Sequence, residues 1–263
     1  MLCQFTVKNF KSIRDEVTFD MQAAAISEHE DRIIIDKDEE KYLPVSAVYG
    51  PNGGGKSNVL AALHTLVAKV LRPLLATEDS EEKVLLQRKI IVEPFAFSKS
   101  KDEPTEFELF FRTTVSEYRY ILHVKRDIVL YESLDRVKLE TGRKSALFTR
   151  DENGIVLKGA FAKLKVSDEL SKTLTLLSYL GIAYKGNAVV KDVLSWFEYG
   201  IEFLNYGNPI QELKMAVSTS EDVKKLMLQM IQEMDLDIVD FRVEEKENER
   251  INIFTKHCVD DVE

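Results

Sequence analysis

The sequence predicts an α/β fold that combines an antiparallel β meander with a helical lobe. Three observations predict it: a glycine-rich turn between an apolar run and an amphipathic helix, alternating segments through residues 90–157, and helical apolar spacing through residues 168–234. The chain has 263 residues, enough for one large domain or two lobes. We expect a first lobe at 1–165, a helical lobe at 166–236 and a β hairpin at 237–263.

The chain begins with a predicted hairpin. Residues 2–10 and 16–21 alternate apolar and polar side chains as half-buried strands do, and residues 11–15 supply the turn between them. Residues 27–41 are charged and are predicted to be mostly loop. The apolar run at 45–49 then predicts a strand that leads directly into the glycine-rich turn.

The glycine-rich turn reads GPNGGGKS at residues 50–57 and matches the phosphate-binding pattern G-x-x-x-x-G-K-[ST]. Its glycines allow the backbone to curl until several N–H groups converge on one point, at which the positive end of the following helix also points. In this pattern Lys56 supplies positive charge to phosphate oxygens, and the Ser57 hydroxyl ligates Mg²⁺. A chance glycine-rich turn is the alternative, and the strand and helix predicted on either side make it the weaker one.

The segment after this turn predicts a helix over residues 57–72 with one apolar face. Apolar residues recur there at helical spacing and comprise Val59, Leu60, Leu63, Leu66, Val67, Val70 and Leu71. Pro73 is expected to end the helix. Residues 77–89 are polar and acidic, and we expect a surface helix or loop there.

The remaining elements follow in groups. Strands are predicted at residues 90–97, 107–112, 118–124, 128–137, 147–150 and 155–157. The last two flank Asn153-Gly154, a dipeptide typical of tight hairpins. Helices are predicted at residues 168–180, 189–204 and 221–234, and two final strands at 238–243 and 251–257. Trp196 and Phe197 lie at helical spacing, which favours core packing over base stacking.

Composition limits the classes of function. The net charge of −9 gives no overall attraction to nucleic acid, so DNA binding would require a local basic patch. Cys3 and Cys258 lie outside any metal-ligand spacing and are expected to be buried thiols. The sequence has no run of about eighteen apolar residues and no signal-peptide core, so we expect a cytoplasmic protein without membrane contact.

Two stretches of the sequence carry a resemblance to a known family. FTVKNFKSIRDEVTFD and VYGPNGGGKSNVLAAL resemble the start of the head domain in RecF/SMC-like ABC-type ATPases, in which an N-F-K-S turn lies between the first two strands. Within that group the chain most resembles the bacterial AAA15/RloA-like ATPases linked to anti-phage defence. The resemblance covers essentially the whole chain and is most specific over residues 5–63. It implies a P-loop NTPase of the ABC-ATPase head type.

The resemblance also implies ligands and partners. The implied cofactors are ATP and Mg²⁺, with Ser57 as the metal ligand. The nucleotide-binding positions that the motifs carry over are Lys11, Ser12, Asn52, Gly53, Gly54, Gly55, Lys56, Ser57 and Asn58. In the family two heads pair head-to-tail around two ATP molecules, which implies a homodimer that acts as an ATP-driven switch. The implied partner is an effector such as a nuclease or toxin, in anti-phage defence or DNA maintenance.

The sequence departs from the family by lacking its hydrolytic motifs. The IVDF run at 238–241 lacks the glutamate that should follow the aspartate, and Glu132 follows Tyr131 where that aspartate belongs. No signature serine motif or switch histidine is found, and neither Gln87 nor Gln211 can be placed as the Q-loop glutamine. We therefore expect the N-terminal portion of a longer ATPase, with no catalytic residue in this chain, weak ATP binding and negligible hydrolysis.

Two other functions stay open at this point. The first is a nucleotide-regulated protein-binding module without hydrolysis of its own, which the missing Asp-Glu pair favours for the chain as given. The second is a small-molecule kinase, which would need a phosphate-acceptor site that the sequence does not reveal.

Overall fold

The structure, a computed structural model, describes most of the chain, namely residues 1–25, 30–36, 38–75, 90–97, 102–167, 169–203, 221–233, 238–246 and 250–257. It forms two compact units, Met1–Glu202 and Phe203–Glu263. The units divide the chain at a different point from the predicted domain boundaries, which stay predictions. Residues 77–89, which include Gln87, and residues Gln211 and Cys258 lie outside the described residues, so the predictions made for them stay predictions.

A seven-stranded antiparallel sheet dominates the first unit and confirms the predicted α/β fold with its meander. Its strands are β1 (Leu2–Lys8), β2 (Val17–Asp20), β5 (Thr105–Arg112), β6 (Ser116–Lys125), β7 (Ile128–Lys138), β8 (Lys144–Asp151) and β9 (Gly154–Leu157). They lie in the order β2-β1-β5-β6-β7-β8-β9. The short strands β3 (Ile34–Ile35) and β4 (Lys41–Tyr42) form a separate pair.

Side-chain alternation gives this sheet one buried face. Along β6 the buried residues are Tyr118, Tyr120, Leu122 and Val124, and the residues between them are partly or fully exposed. Successive side chains of a strand point to opposite faces, so this pattern places the core on one side of the sheet.

Three helices of the first unit contact one another: α1 (Lys56–Leu75), α2 (Leu176–Ala183) and α3 (Ala188–Tyr199). The rings of Trp196 and Phe197 on α3 lie 4.6 and 5.5 Å from the ring of Phe111 on β5. Both side chains are buried, which confirms that they are core residues. A Cβ at Gly181 on α2 would lie 2.6 Å from side chains of both Leu74 and Leu194, so glycine permits the close approach of the three helices.

Helix α1 continues past the predicted stop at Pro73 and ends at Leu75. A proline removes the hydrogen bond to the carbonyl four residues earlier, here that of Lys69. The hydroxyl of Ser178 on α2 lies 3.5 Å from that carbonyl oxygen and donates to the neighbouring Val70 carbonyl at 2.7 Å. Tertiary contacts therefore support the turn that the proline weakens. By length and composition α1 could cross a membrane, and 33% of its apolar window is buried within the protein. Leu63, Leu66 and Val70 of the predicted apolar face are buried, whereas Leu60 is 56% exposed.

Three other predicted elements are wrong. Residues 45–49 and 90–97 form no strand, and Val45, Val48 and Tyr49 are 77%, 48% and 89% exposed. The predicted helix at 168–180 begins only at Leu176. A strand requires neighbours to complete its hydrogen bonds, and no strand among the described residues pairs with either segment.

The late start of α2 follows from a buried carboxylate on β7. Glu132 is fully buried, and its Oε2 and Oε1 atoms accept hydrogen bonds from the backbone N–H groups of Leu176 and Leu177 at 2.6 and 2.9 Å. Tyr120 donates to Oε1 at 2.9 Å, and Arg150 Nη1 lies 3.9 Å from Oε2. Burial raises the pKa of Glu132 above its ordinary value, and these donors oppose that shift. The first amides of α2 thus find their acceptor on the sheet.

A second buried charge attaches the β3–β4 hairpin. The guanidinium of Arg112 is only 5% exposed and bonds to Asp38 through two nitrogens at 2.7 Å, and to Asp36 and Glu117 at 3.0 and 2.7 Å. It also lies 5.1 Å from the ring centre of Tyr42. This set of charge-assisted bonds fixes the connection that leads into the glycine-rich turn.

Near the N-terminus, Cys3 is a buried free thiol, as predicted, and burial raises its pKa to about 11.

The second unit contains helix α4 (Glu221–Glu233) and the antiparallel strands β10 (Ile238–Lys246) and β11 (Arg250–His257). Lys224 on α4 bonds to Asp240 on β10 at 3.1 Å. The predicted final helix and hairpin are therefore confirmed, with strands that extend further into the charged turn.

Removing the Glu132 carboxylate should destabilise the first unit strongly. Glu132→Ala leaves two backbone N–H groups and the Tyr120 hydroxyl buried without an acceptor, and we expect a loss of about 3 kcal/mol in the free energy of unfolding. Urea denaturation measures this loss. Glu140→Ala, at an exposed position after β7, is the matched control and should change little. A loss below about 1 kcal/mol for Glu132→Ala would contradict the assigned role.

Candidate functional site

The glycine-rich turn borders an open cavity of about 480 Å³ at the start of α1. The cavity is lined by Ser12, Asn52, Gly53, Gly54, Gly55, Lys56, Ser57 and Asn58. Eight of the nine residues predicted from the motifs therefore lie around one space. Gly53 and Gly55 have φ angles of +79° and +84°, a left-handed conformation that glycine adopts without strain. These two residues allow the backbone to curl around the cavity.

Lys56 is the first residue of α1, and its side chain points back across the turn. Its Nζ donates to the carbonyl oxygens of Gly50 and Pro51 at 2.7 and 2.8 Å. The Gly54 N–H donates to the same Pro51 carbonyl at 3.1 Å. The turn is thus folded around the ammonium group, which also lines the cavity.

The turn after β1 contacts the phosphate loop directly. Asn58 Nδ2 donates to Ser12 Oγ at 2.6 Å, across 46 residues of sequence. A Cβ at Gly55 would lie 3.0 Å from the same Ser12 oxygen. The structure therefore brings Ser12 and Asn58, two positions expected from the family motifs, together at one side of the cavity.

Asn9 holds this turn in place, and sequence reasoning did not identify it. It is 1% exposed with a φ angle of 57°, a conformation that asparagine tolerates better than most residues. Its Nδ2 donates to the carbonyls of Glu103 and Pro104, both at 3.1 Å, and its Oδ1 accepts from the Phe95 N–H at 3.0 Å. Thr105 Oγ1 donates to the Asn9 carbonyl at 2.5 Å. The sequence does show an asparagine at the start of a turn, but it could not reveal the role of Asn9, because the residues that Asn9 contacts lie about 90 positions further along the chain.

Lys11 is the predicted position that does not line the cavity. Its Nζ lies 5.6 Å from the centre of the Phe10 ring, and its backbone N–H donates to the Glu93 carbonyl at 2.9 Å. Lys11 therefore connects the turn to residues 90–95 through its backbone, and its side chain is directed at a neighbouring ring.

The cavity lining determines what chemistry this site can perform. The first amide groups of a helix have no intrahelical acceptor, and with the helix dipole they favour an anion at the start of α1. Lys56 adds a positive charge, and the hydroxyl of Ser57 adds a metal ligand of the type that Mg²⁺ prefers. Within the described part of the chain no aspartate or glutamate lines the cavity, and no cluster of three metal-ligating side chains occurs. The arrangement suits the binding of a polyphosphate.

Comparison with known proteins gives the family. No curated protein matches the chain. A family model for an AAA domain, described as a putative AbiEii toxin of a type IV TA system, matches residues 45–190. This match begins before the phosphate loop, runs through the meander and ends within α3. It spans more than half of the chain, and the chain therefore belongs to this AAA-domain family.

Proposed function

We propose that this chain is the ATP-binding part of an ABC-type ATPase of the RecF/SMC-like class that acts as an ATP-driven dimerisation switch. The AAA family implies a nucleotide-using ATPase domain. The observation that carries the finer proposal is the contact of the turn at Ser12 with the phosphate loop at Asn58, both of which the RecF/SMC-like motifs place beside the nucleotide. Defence against phage, with a nuclease or toxin as effector, is the setting that the resemblance favours.

ATP and Mg²⁺ fit the residues present. Gly53 and Gly55 leave the loop backbone open to close approach, and Lys56 would hold the terminal phosphates together with the first amides of α1. Ser57 would hold the Mg²⁺ ion, which when bound neutralises phosphate charge. Ser12 and Asn58 would orient the nucleotide from the side of the β1 turn.

A nucleotide-regulated binding module without hydrolysis is the second candidate for the chain as given. The lack of an acidic side chain among the described lining residues favours it, because a general base and an acidic Mg²⁺ partner are the groups that position water for attack on phosphate. The two candidates differ in whether nucleotide binding changes the oligomeric state.

Dimerisation tests the switch. We expect the purified chain to be monomeric alone and to form a dimer when Mg²⁺ and a non-hydrolysable ATP analogue are added, as measured by size-exclusion chromatography with light scattering. Lys56→Ala should stay monomeric, because the loop loses its phosphate-binding charge. Lys125→Ala removes an exposed lysine on β6 and should behave as the unmodified chain does. A monomer that binds the analogue tightly would favour the binding module.

Hydrolysis should be negligible for this chain alone. The described residues place no acidic group at the cavity, so attack of water on the terminal phosphate lacks a base and a complete metal site among them. Phosphate release measured with a coupled assay should therefore stay near the level of Lys56→Ala. Turnover well above that level would contradict this expectation and would require a base that the described residues do not supply.

Gly55 should be the glycine least tolerant of a side chain in the loop. In Gly55→Ala the added Cβ lies 3.0 Å from Ser12 Oγ, and the alanine must keep a φ angle of +84° that is strained for any residue with a side chain. We therefore expect about tenfold weaker ATP binding. Fluorescence titration with a labelled ATP analogue gives the affinity. Gly186→Ala is the control, since a Cβ there would meet no heavy atom within 4 Å. Equal affinities for both variants would show that the loop adapts to the added side chain.

A further inference from the structure

A second cavity, of about 290 Å³, lies where β7 and β8 meet the short 3-10 helix Gly159–Phe161. It is lined by Arg136, Lys138, Arg143, Ser145, Gly159 and Ala160. Three of these six residues are cationic and none is acidic. The cavity therefore concentrates positive charge in a chain whose net charge is −9.

Strand pairing brings the three cations together. Arg136 and Lys138 are two residues apart on β7 and share one face of the strand. Arg136 is the cross-strand partner of Ser145, and the Lys138 N–H donates to the Arg143 carbonyl at 3.1 Å where the hairpin turns. The position of Arg143 opposite Lys138 is thus set by the backbone of the hairpin.

Among the residues that the structure describes, no carboxylate forms an ion pair with Arg136, Lys138 or Arg143. Arg136 is half-buried, and its Nε donates to Ser116 Oγ at 2.8 Å, which fixes the guanidinium group. Like charges held close together repel one another, and an anion between them relieves that repulsion.

The surrounding sequence extends the positive charge. Residues 136–165 contain eight lysines and arginines against three aspartates and glutamates. Among them, Lys144, Lys158 and Lys163 are exposed on the segments that flank the cavity. The local balance is therefore opposite in sign to that of the whole chain.

We propose that this cavity binds a phosphate group, separately from the phosphate loop. Arginine presents paired N–H donors that match phosphate oxygens. A phosphate monoester, with a charge of about −2, offsets three cations better than a carboxylate ligand with a charge of −1 does. The phosphate belongs either to a small phosphorylated molecule or to a nucleic-acid backbone, which present the same oxygens. None of the cavity residues takes part in the proposed ATP site.

The test compares two charge-matched double variants, both in a Lys56→Ala background that disables the phosphate loop. Lys138→Gln/Arg143→Gln removes two cations of the cavity. Lys125→Gln/Arg126→Gln removes two exposed cations from the turn between β6 and β7 and is the control. Inorganic pyrophosphate is titrated by calorimetry, and a labelled DNA duplex by fluorescence anisotropy at several salt concentrations.

The cavity variant should lower the affinity for whichever probe binds by about tenfold, because it removes two charge-assisted contacts. The control variant should change that affinity by less than about twofold. If DNA is the probe that binds, the cavity variant should also lower the slope of log affinity against log salt by about two. Binding of pyrophosphate alone assigns the site to small phosphorylated molecules. The proposal is overturned if neither probe binds, or if both double variants weaken binding equally. A failure of ATP-dependent dimerisation would leave this result unaffected.

Discussion

The buried carboxylate of Glu132 is the interaction on which the arrangement of helices and sheet depends. A fully buried carboxylate requires donors, and here the donors are the first amides of α2 and the hydroxyl of Tyr120. This requirement fixes where α2 begins and which end of it faces β7. Ser178, in the same turn of α2, then donates to the Val70 carbonyl of α1. The helix that carries the phosphate loop is thereby positioned by a chain of hydrogen bonds that begins at the sheet.

Local patterns predicted the parts of the fold whose hydrogen bonds are supplied by adjacent segments of the chain. The meander from β5 to β9 and most of α1 are of this kind, because each strand pairs with the next and a helix satisfies its own backbone. Residues 45–49 have the apolar composition of a buried strand, but strand pairing depends on neighbours that composition cannot supply. The shortened α2 likewise reflects Glu132, which lies 44 residues before Leu176 and left no signal in the helical spacing.

The candidate site likewise has one part that local sequence predicts and one part that it does not. The phosphate loop was predictable, since glycines, a lysine and a serine at fixed spacing determine its geometry locally. The support of the loop was not, because Asn9 reaches Phe95 and Pro104 across 86 and 95 residues. The basic cavity shows a related limit: its three cations lie within eight residues of one hairpin, but only the register of β7 with β8 and the return of the chain at Gly159 bring them to one space with Ser145. Net charge, which gave no overall attraction to nucleic acid and left a local basic patch open, averages over the whole chain and is insensitive to such local pairing.

The ammonium of Lys56 explains how the loop keeps its shape although the segment before it forms no strand. Its bonds to the carbonyls of Gly50 and Pro51 connect the first two residues of the loop to the first residue of α1. An ammonium group has three donors, and phosphate oxygens, which carry more negative charge than carbonyls, compete for them. Any bond that Lys56 transfers to a phosphate is one fewer to the start of the loop. If a phosphate takes one of the donors that now serve these carbonyls, phosphate binding and the conformation of the loop at Gly50 and Pro51 are thermodynamically linked, because a ligand that favours one set of bonds shifts the equilibrium of the other.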